Sequence, residues 1–224
     1  MKQPSRREQK AAATRVGLLQ AMLRRIDERP LSEIPVKELC AEVGVSNQTF
    51  FNYFETKQAL VLFFLSLWSV DMAARIAALD QDDPLAAIEE FFVTTAELSE
   101  DNPGIMAEIL AAQARFRFES APPPPTDADL MLAFPDRPEL LEAPRDLGLQ
   151  ALIPPLLARA VALGQLPPHT DVGLAFMGVA TIFFGAAVLR RQAPQIPIPV
   201  AYRLQLQRLW TALRAAPAPA DAPA

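Results

Sequence analysis

The chain has 224 residues, 51% of them apolar and 21% charged, which is ample for a packed core and excludes wholesale disorder. One cysteine and one histidine (His169) leave no internal disulfide, no Cys-rich zinc site and no His-x-x-x-His or Glu-x-x-His spacing for metal chemistry, so neither metal nor cofactor is expected. The net charge of −5 hides an asymmetry, since residues 1–57 carry ten Lys+Arg against seven Asp+Glu and the remainder carries eleven against nineteen. A basic head on an acidic body hints at a polyanion-binding function for the head.

The dominant period along the chain is helical, with no convincing strand. Val16, Leu19, Leu23 and Ile26 form one stripe, predicting an amphipathic helix over about 6–28 that Pro30 ends. The basic residues at the start lack a following apolar region, so no secretory signal is expected. Val36, Leu39, Cys40 and Val43 predict a short helix behind Pro35, closed by Gly44 as a left-handed cap. Ser46 is an N-cap for a second short helix, Asn47–Tyr53. A longer, very apolar helix follows over about 57–79. Asp83-Pro84 and Asn102-Pro103 open the next two.

From Glu119 to Pro138 the helical pattern is lost, and Pro122–Pro125 predicts an extended, polyproline-like loop. Helix is expected again near Pro144, running to Leu163 with a kink at Pro154-Pro155. Two final helices are expected, about 170–191 and 199–214, before an Ala/Pro tail over 216–224 that is expected to be disordered. Val172–Leu189 is 18 residues without a charge, at the lower limit for a bilayer span. Asp171 and Arg190-Arg191 bound it sharply, and its many small residues suit a helix interface better, so no membrane association is expected. The fold class is all-α, with about nine helices and no internal repeat.

Two short helices joined by Gly44-Val45-Ser46 are a helix-turn-helix signature. Asn47 and Gln48 open the second helix with amides able to form paired hydrogen bonds to adenine edges. Thr49, Tyr53 and Lys57 offer donors suited to phosphate oxygens. Cys40 on the apolar helix face reads as inert core, and His169 in its Pro-rich turn reads as a surface residue.

The string from Leu39 to Leu60, LCAEVGVSNQTFFNYFETKQAL, resembles the tetracycline-repressor (TetR) family of bacterial regulators, whose loose pattern is Ile-Ala-x-x-Ala-Gly-Val-Ser-x-x-Thr-x-Tyr-x-Tyr-Phe-x-x-Lys-x-x-Leu. The resemblance covers residues 10–65. It implies a three-helix DNA-binding head (1–56), an effector-binding and dimerisation body (57–215), and roles for individual positions. Lys37 falls where some members touch base or phosphate, and Ser46 caps the recognition helix. Asn47, Gln48 and Asn52 fall at base-reading positions, and Thr49, Tyr53 and Lys57 at phosphate-holding ones. Phe50 and Phe54 match packing positions. Phe51 stands where Tyr is usual, leaving apolar contact only. Cys40 and Val43 replace small alanines.

In such a family the last two helices pair with those of a second copy, and the rest of the body encloses an effector pocket. Phe91, Phe92, Thr95, Met106, Ile109, Gln113, Phe116, Phe176 and Phe183 are the candidate lining. Their apolar character favours a small hydrophobic effector. The expectation is therefore a cytoplasmic, non-enzymatic, homodimeric repressor, released from a near-palindromic double-stranded DNA operator by that effector. Two alternatives remain: an adaptor of the same fold that binds a protein instead of DNA, and an all-α enzyme using acids such as Glu89, Glu90, Glu97 or Glu108. The enzyme lacks a nucleophile–base pair or a metal-ligand set.

Overall fold

The computed structural model describes residues 3–79, 82–101, 103–115, 124–145, 148–189 and 195–217. Ten α-helices occur among them and no strand: α1 (Arg6–Ile26), α2 (Val36–Val43), α3 (Asn47–Tyr53), α4 (Gln58–Ala78), α5 (Pro84–Asp101), α6 (Pro103–Arg115), α7 (Asp127–Ala133), α8 (Leu149–Ala162), α9 (Val172–Leu189) and α10 (Ile198–Ala215). Single 3-10 turns lie at Leu31–Glu33 and Pro138–Leu141. The expected disordered tail lies outside the described residues from 218 onward, as do Arg190, Arg191 and the first two residues of the expected polyproline run.

The chain forms two compact units, Met1–Ala74 with Ser99–Gly148, and Arg75–Leu98 with Leu149–Ala224. In the first, α1 begins at a reciprocal capping box between Ser5 and Glu8 and buries Val16, Leu19, Met22 and Ile26. Gly17 permits close packing on α2, because a Cβ there would lie 3.2 Å from Val43 Cγ1. The α1 stripe shares one core with Leu39 and Cys40 of α2, Phe50 and Phe54, Leu60 and Leu67 of α4, Ile105 and Ile109 of α6, and Leu130 of α7.

Part of the expected loop over 119–138 is helical instead. Thr126 and Asp129 form a capping box that starts α7, and Ala128 and Leu130 are buried. Two turns after a proline run leave too little sequence for a 3.6-residue period to register. Pro138 opens a 3-10 turn, and the helix expected from near Pro144 begins only at Leu149 as α8. Pro154 and Pro155 lie inside α8.

In the second unit α9 turns Ala175, Val179 and Phe183 inward at four-residue spacing, and α10 does the same with Ile198, Tyr202, Leu206 and Trp210. Leu174, Met177, Val188 and Leu189 of α9 stay exposed, as do Val200 and Leu204 of α10. By length and apolarity α4 and α9 could each cross a membrane, but over half of α4 is buried in the protein. The exposed side of α9 carries a shallow groove of about 520 Å³ lined by Phe176, Met177, Ala180, Phe184, Val188 and Leu189, among others.

Candidate nucleic-acid interface

The turn between α2 and α3 is built by three consecutive residues. Gly44 adopts φ 73°, the left-handed region that disfavours a side chain, and its N–H donates to the Cys40 carbonyl. Val45 N donates to the same carbonyl at 3.0 Å. Ser46 then caps α3, its hydroxyl accepting from Thr49 N at 3.1 Å and lying 2.9 Å from Thr49 Oγ1. Cys40 is fully within the core, its Sγ 3.6 Å from the Ser46 carbonyl, and burial raises the thiol pKa, which suppresses the reactive thiolate.

Phe50 fixes the rotation of α3. It is wholly buried, stacks edge-on to Phe51 and packs on Phe54, which in turn meets Phe63 of α4. With Phe50 pointing in, the 3.6-residue period must turn Asn47, Gln48, Phe51 and Asn52 outward, and all four are exposed. Gln48 Nε2 donates to Asn52 Oδ1 at 3.3 Å, one turn along. Phe51 is 51% exposed, an apolar ring amid amides. Lys37 is exposed on α2. The face offers amide donors and acceptors, hydroxyls and one apolar contact, the inventory that base edges and thymine methyls require.

Electrostatically the head is more compensated than its composition implies. Arg24 and Arg25 both pair with Glu42, whose carboxyl they hold below its usual range through hydrogen bonds. Arg29 pairs with Glu38. Lys57 is also engaged: its ammonium donates to the carbonyls of Leu31 at 2.7 Å, Ser32 at 2.9 Å and Ile34 at 2.8 Å. All three of its donors hold the 3-10 turn, so touching a phosphate would require giving one up. The same turn is gripped from α6, where Glu108 accepts from Leu31 N at 2.9 Å. Asp27, just past α1, accepts from Gly104 N at 2.7 Å.

Tyr53, the last residue of α3, has the guanidinium carbon of Arg15 5.7 Å from its ring centroid. Arg15 is itself held by Asp129 of α7 at 2.8 Å. Sequence reasoning missed the structural partners of Arg15, Asp129, Glu108 and Asp27, because these lie up to 114 positions away. The Thr126-x-x-Asp129 spacing is the one local signal that could have pointed to Asp129.

The candidate effector residues are distributed over both units. In the second, Phe91, Phe92 and Phe183 pack with Tyr202 in one aromatic cluster, with Phe92 and Tyr202 centroids 4.8 Å apart. Thr95 is buried and donates to the Phe91 carbonyl at 2.7 Å, and Phe176 lines the α9 groove. In the first, Ile109 is core and Met106 is half-buried. The Gln113 side chain and Phe116 lie outside the described residues. Among the described residues no three His, Cys, Asp or Glu side chains converge as a metal site. His169 Nε2 lies 3.0 Å from the Ala216 carbonyl.

No protein-family model and no curated protein matches the sequence. Solved structures do match the fold. The TetR-family transcriptional repressor FadR of Thermus thermophilus, in complex with lauroyl-CoA, superposes with a TM-score of 0.63 at 19% identity, over 93% of this chain and 100% of that one. The regulator FadR of Bacillus subtilis, in complex with stearoyl-CoA, gives 0.60 at 13% identity over 88% and 97%. TylP, a TetR regulator from Streptomyces fradiae, gives 0.57 at 21% identity over 92% and 89%. The chain has the all-α fold of TetR-type transcriptional regulators.

Proposed function

We propose that this chain is a TetR-type DNA-binding transcriptional regulator, a cytoplasmic homodimeric repressor that leaves a near-palindromic operator when a hydrophobic small molecule binds. The observation that carries the reading is the α3 face: one helix, locked by Phe50, that turns Asn47, Gln48, Phe51 and Asn52 outward behind a capped turn. Asn47, Gln48 and Asn52 read bases, Ser46, Thr49 and Tyr53 hold phosphates, and Lys37 adds a contact from α2. Lys57 acts chiefly through the turn it holds.

Dimerisation supplies the second half of the recognition. The uncovered apolar faces of α9 and α10 are the surface for a second copy, in a two-fold arrangement where the same patch serves both partners. Two recognition helices then address half-sites one DNA turn apart, roughly 34–36 Å. The effector is proposed as an apolar-chain compound taken up by the helical body. Lauroyl- and stearoyl-CoA in two proteins of this fold make acyl-CoA thioesters the first ligands to try. Regulation follows from linkage: whatever factor the effector takes from operator affinity, the operator takes from effector affinity.

Selection of bound fragments from genomic DNA tests the reading. The expected result is one near-palindromic motif, with Gln48→Ala relaxing the preference at a single base pair per half-site at a cost of about 1–3 kcal/mol. Recovery of no motif would remove the repressor reading and leave the protein-binding adaptor. Addition of acyl-CoA to the operator complex should release the DNA.

A further inference from the structure

Arg15 lies halfway along α1 and faces two ways. Toward α7 its planar fork meets Asp129 with Nε donating to Oδ1 at 3.0 Å and Nη2 to Oδ1 and Oδ2, both at 2.8 Å. Its Nη2 also reaches Thr126 Oγ1 at 3.4 Å. Toward the recognition helix the same cation stands 5.7 Å from the Tyr53 ring centroid, within the range of cation–π attraction.

Asp129 is 1% exposed and serves the α7 capping box as well, accepting from Thr126 N at 2.9 Å and Thr126 Oγ1 at 2.7 Å. A buried carboxylate is tolerable only when its lone pairs are occupied in this way. Its demand for donors fixes the guanidinium plane, which a flexible arginine in water would not keep. The guanidinium so held lies over the Tyr53 ring at the end of α3. Charge burial on α7 thus holds a cation beside the aromatic ring at the end of α3.

We propose that Asp129 is a positioning residue for DNA contact: through Arg15 it fixes Tyr53, so that the seating of α7 against α1 sets operator affinity. The consequence for affinity rests on the DNA-binding reading above, whereas the effect on Tyr53 belongs to the free protein. Leu130 shares one apolar core with Val16 and Leu19, so α7 is expected to stay docked when the carboxylate is neutralised, and Asp129→Asn is a usable variant.

The chain has two tyrosines, Tyr53 and the buried Tyr202 of the second unit, so protein labelled with 3-fluorotyrosine gives two fluorine resonances. Tyr53→Phe assigns them. Asp129→Asn is expected to shift or broaden the Tyr53 resonance and leave that of Tyr202 in place, and Arg15→Lys, which keeps the charge without the fork, to move it less than Arg15→Met does. On the selected operator, Asp129→Asn should cost about tenfold in affinity in the parent protein but under about threefold in Tyr53→Phe, the non-additivity of coupled side chains. An unmoved Tyr53 resonance overturns the proposal, as do equal shifts at both tyrosines or an undiminished loss in Tyr53→Phe. If the resonance moves as stated while the parent protein selects no DNA motif, the DNA reading fails and the positioning of Tyr53 by Asp129 stands.

Discussion

At the scale of single residues, Lys57 separates two roles that a motif cannot. A lysine in a recognition motif suggests a phosphate ligand, yet this one spends its ammonium on three carbonyls of the α1–α2 connection. Lys57→Met, which keeps the aliphatic stem, is expected to cost about 2 kcal/mol of stability, the range of charged hydrogen bonds, as measured by chemical denaturation. An unchanged denaturation midpoint would return Lys57 to the phosphates. Tyr202 offers a pH test. Its hydroxyl donates to the Phe183 carbonyl at 2.9 Å inside the second unit, and burial pushes its pKa well above the ordinary value. The fold therefore favours the neutral phenol, so this contribution is complete below the ordinary value of about 10 and is lost as pH rises beyond it. Tyr202→Phe should cost about 1 kcal/mol at neutral pH through the missing hydrogen bond and should lose less stability than the parent between pH 8 and 11. Parallel alkaline losses in the two proteins would show that the phenol is not sealed from water.

Among elements, the legible ones were those punctuated locally. Pro35, Gly44 and Ser46 mark the ends of α2 and α3, and both helices run between the residues those signals imply. The seam of α6 on α1 shows why other features stayed hidden. Gly104 follows Asn102-Pro103 and reads as an ordinary helix start, but its reason is a partner far away: a Cβ there would lie 2.1 Å from the Ile26 carbonyl oxygen. Gly104→Ala must push α6 off the end of α1 and should destabilise by about 2 kcal/mol, on the scale of core overpacking. A melting temperature equal to the parent's would mean the seam is not formed in solution. No period in the sequence encodes that contact, just as none encodes Arg15 with Asp129. On α9 the reverse holds, since a helix apolar all round does not encode which of its sides packs inward. With Leu174 68% and Met177 64% exposed, Met177→Glu is expected to yield a monomer by size-exclusion chromatography with light scattering, while helicity by circular dichroism is retained. Dimers persisting in that variant would place the partner elsewhere.

For the whole molecule, an acidic chain need not repel DNA, because the acids lie mostly beyond residue 57. The internal pairing of the head nevertheless restricts how many counterions its binding can displace. Of ten Lys and Arg in residues 1–57, Arg15, Arg24, Arg25 and Arg29 are matched by carboxylates and Lys57 by carbonyls. Arg6, Arg7, Lys10 and Lys37 remain without an ion pair among the described residues, and Lys2 lies outside them. Each phosphate neutralised on duplex DNA contributes about −0.9 to the slope of log affinity against log salt concentration. Even with Lys2 counted beside these four, two heads would bring at most about five cations each and should show a slope no steeper than about −9, where composition alone would allow twice that. A titration of operator binding from 50 to 200 mM salt measures it, and a slope well beyond that bound would mean that the pairs between α1 and α2 open on DNA. If the head binds DNA as proposed, the ion pairs that fasten α2 to α1 also act as a limiter, and the complex is expected to keep more of its affinity as ionic strength rises than a head with all ten cations free.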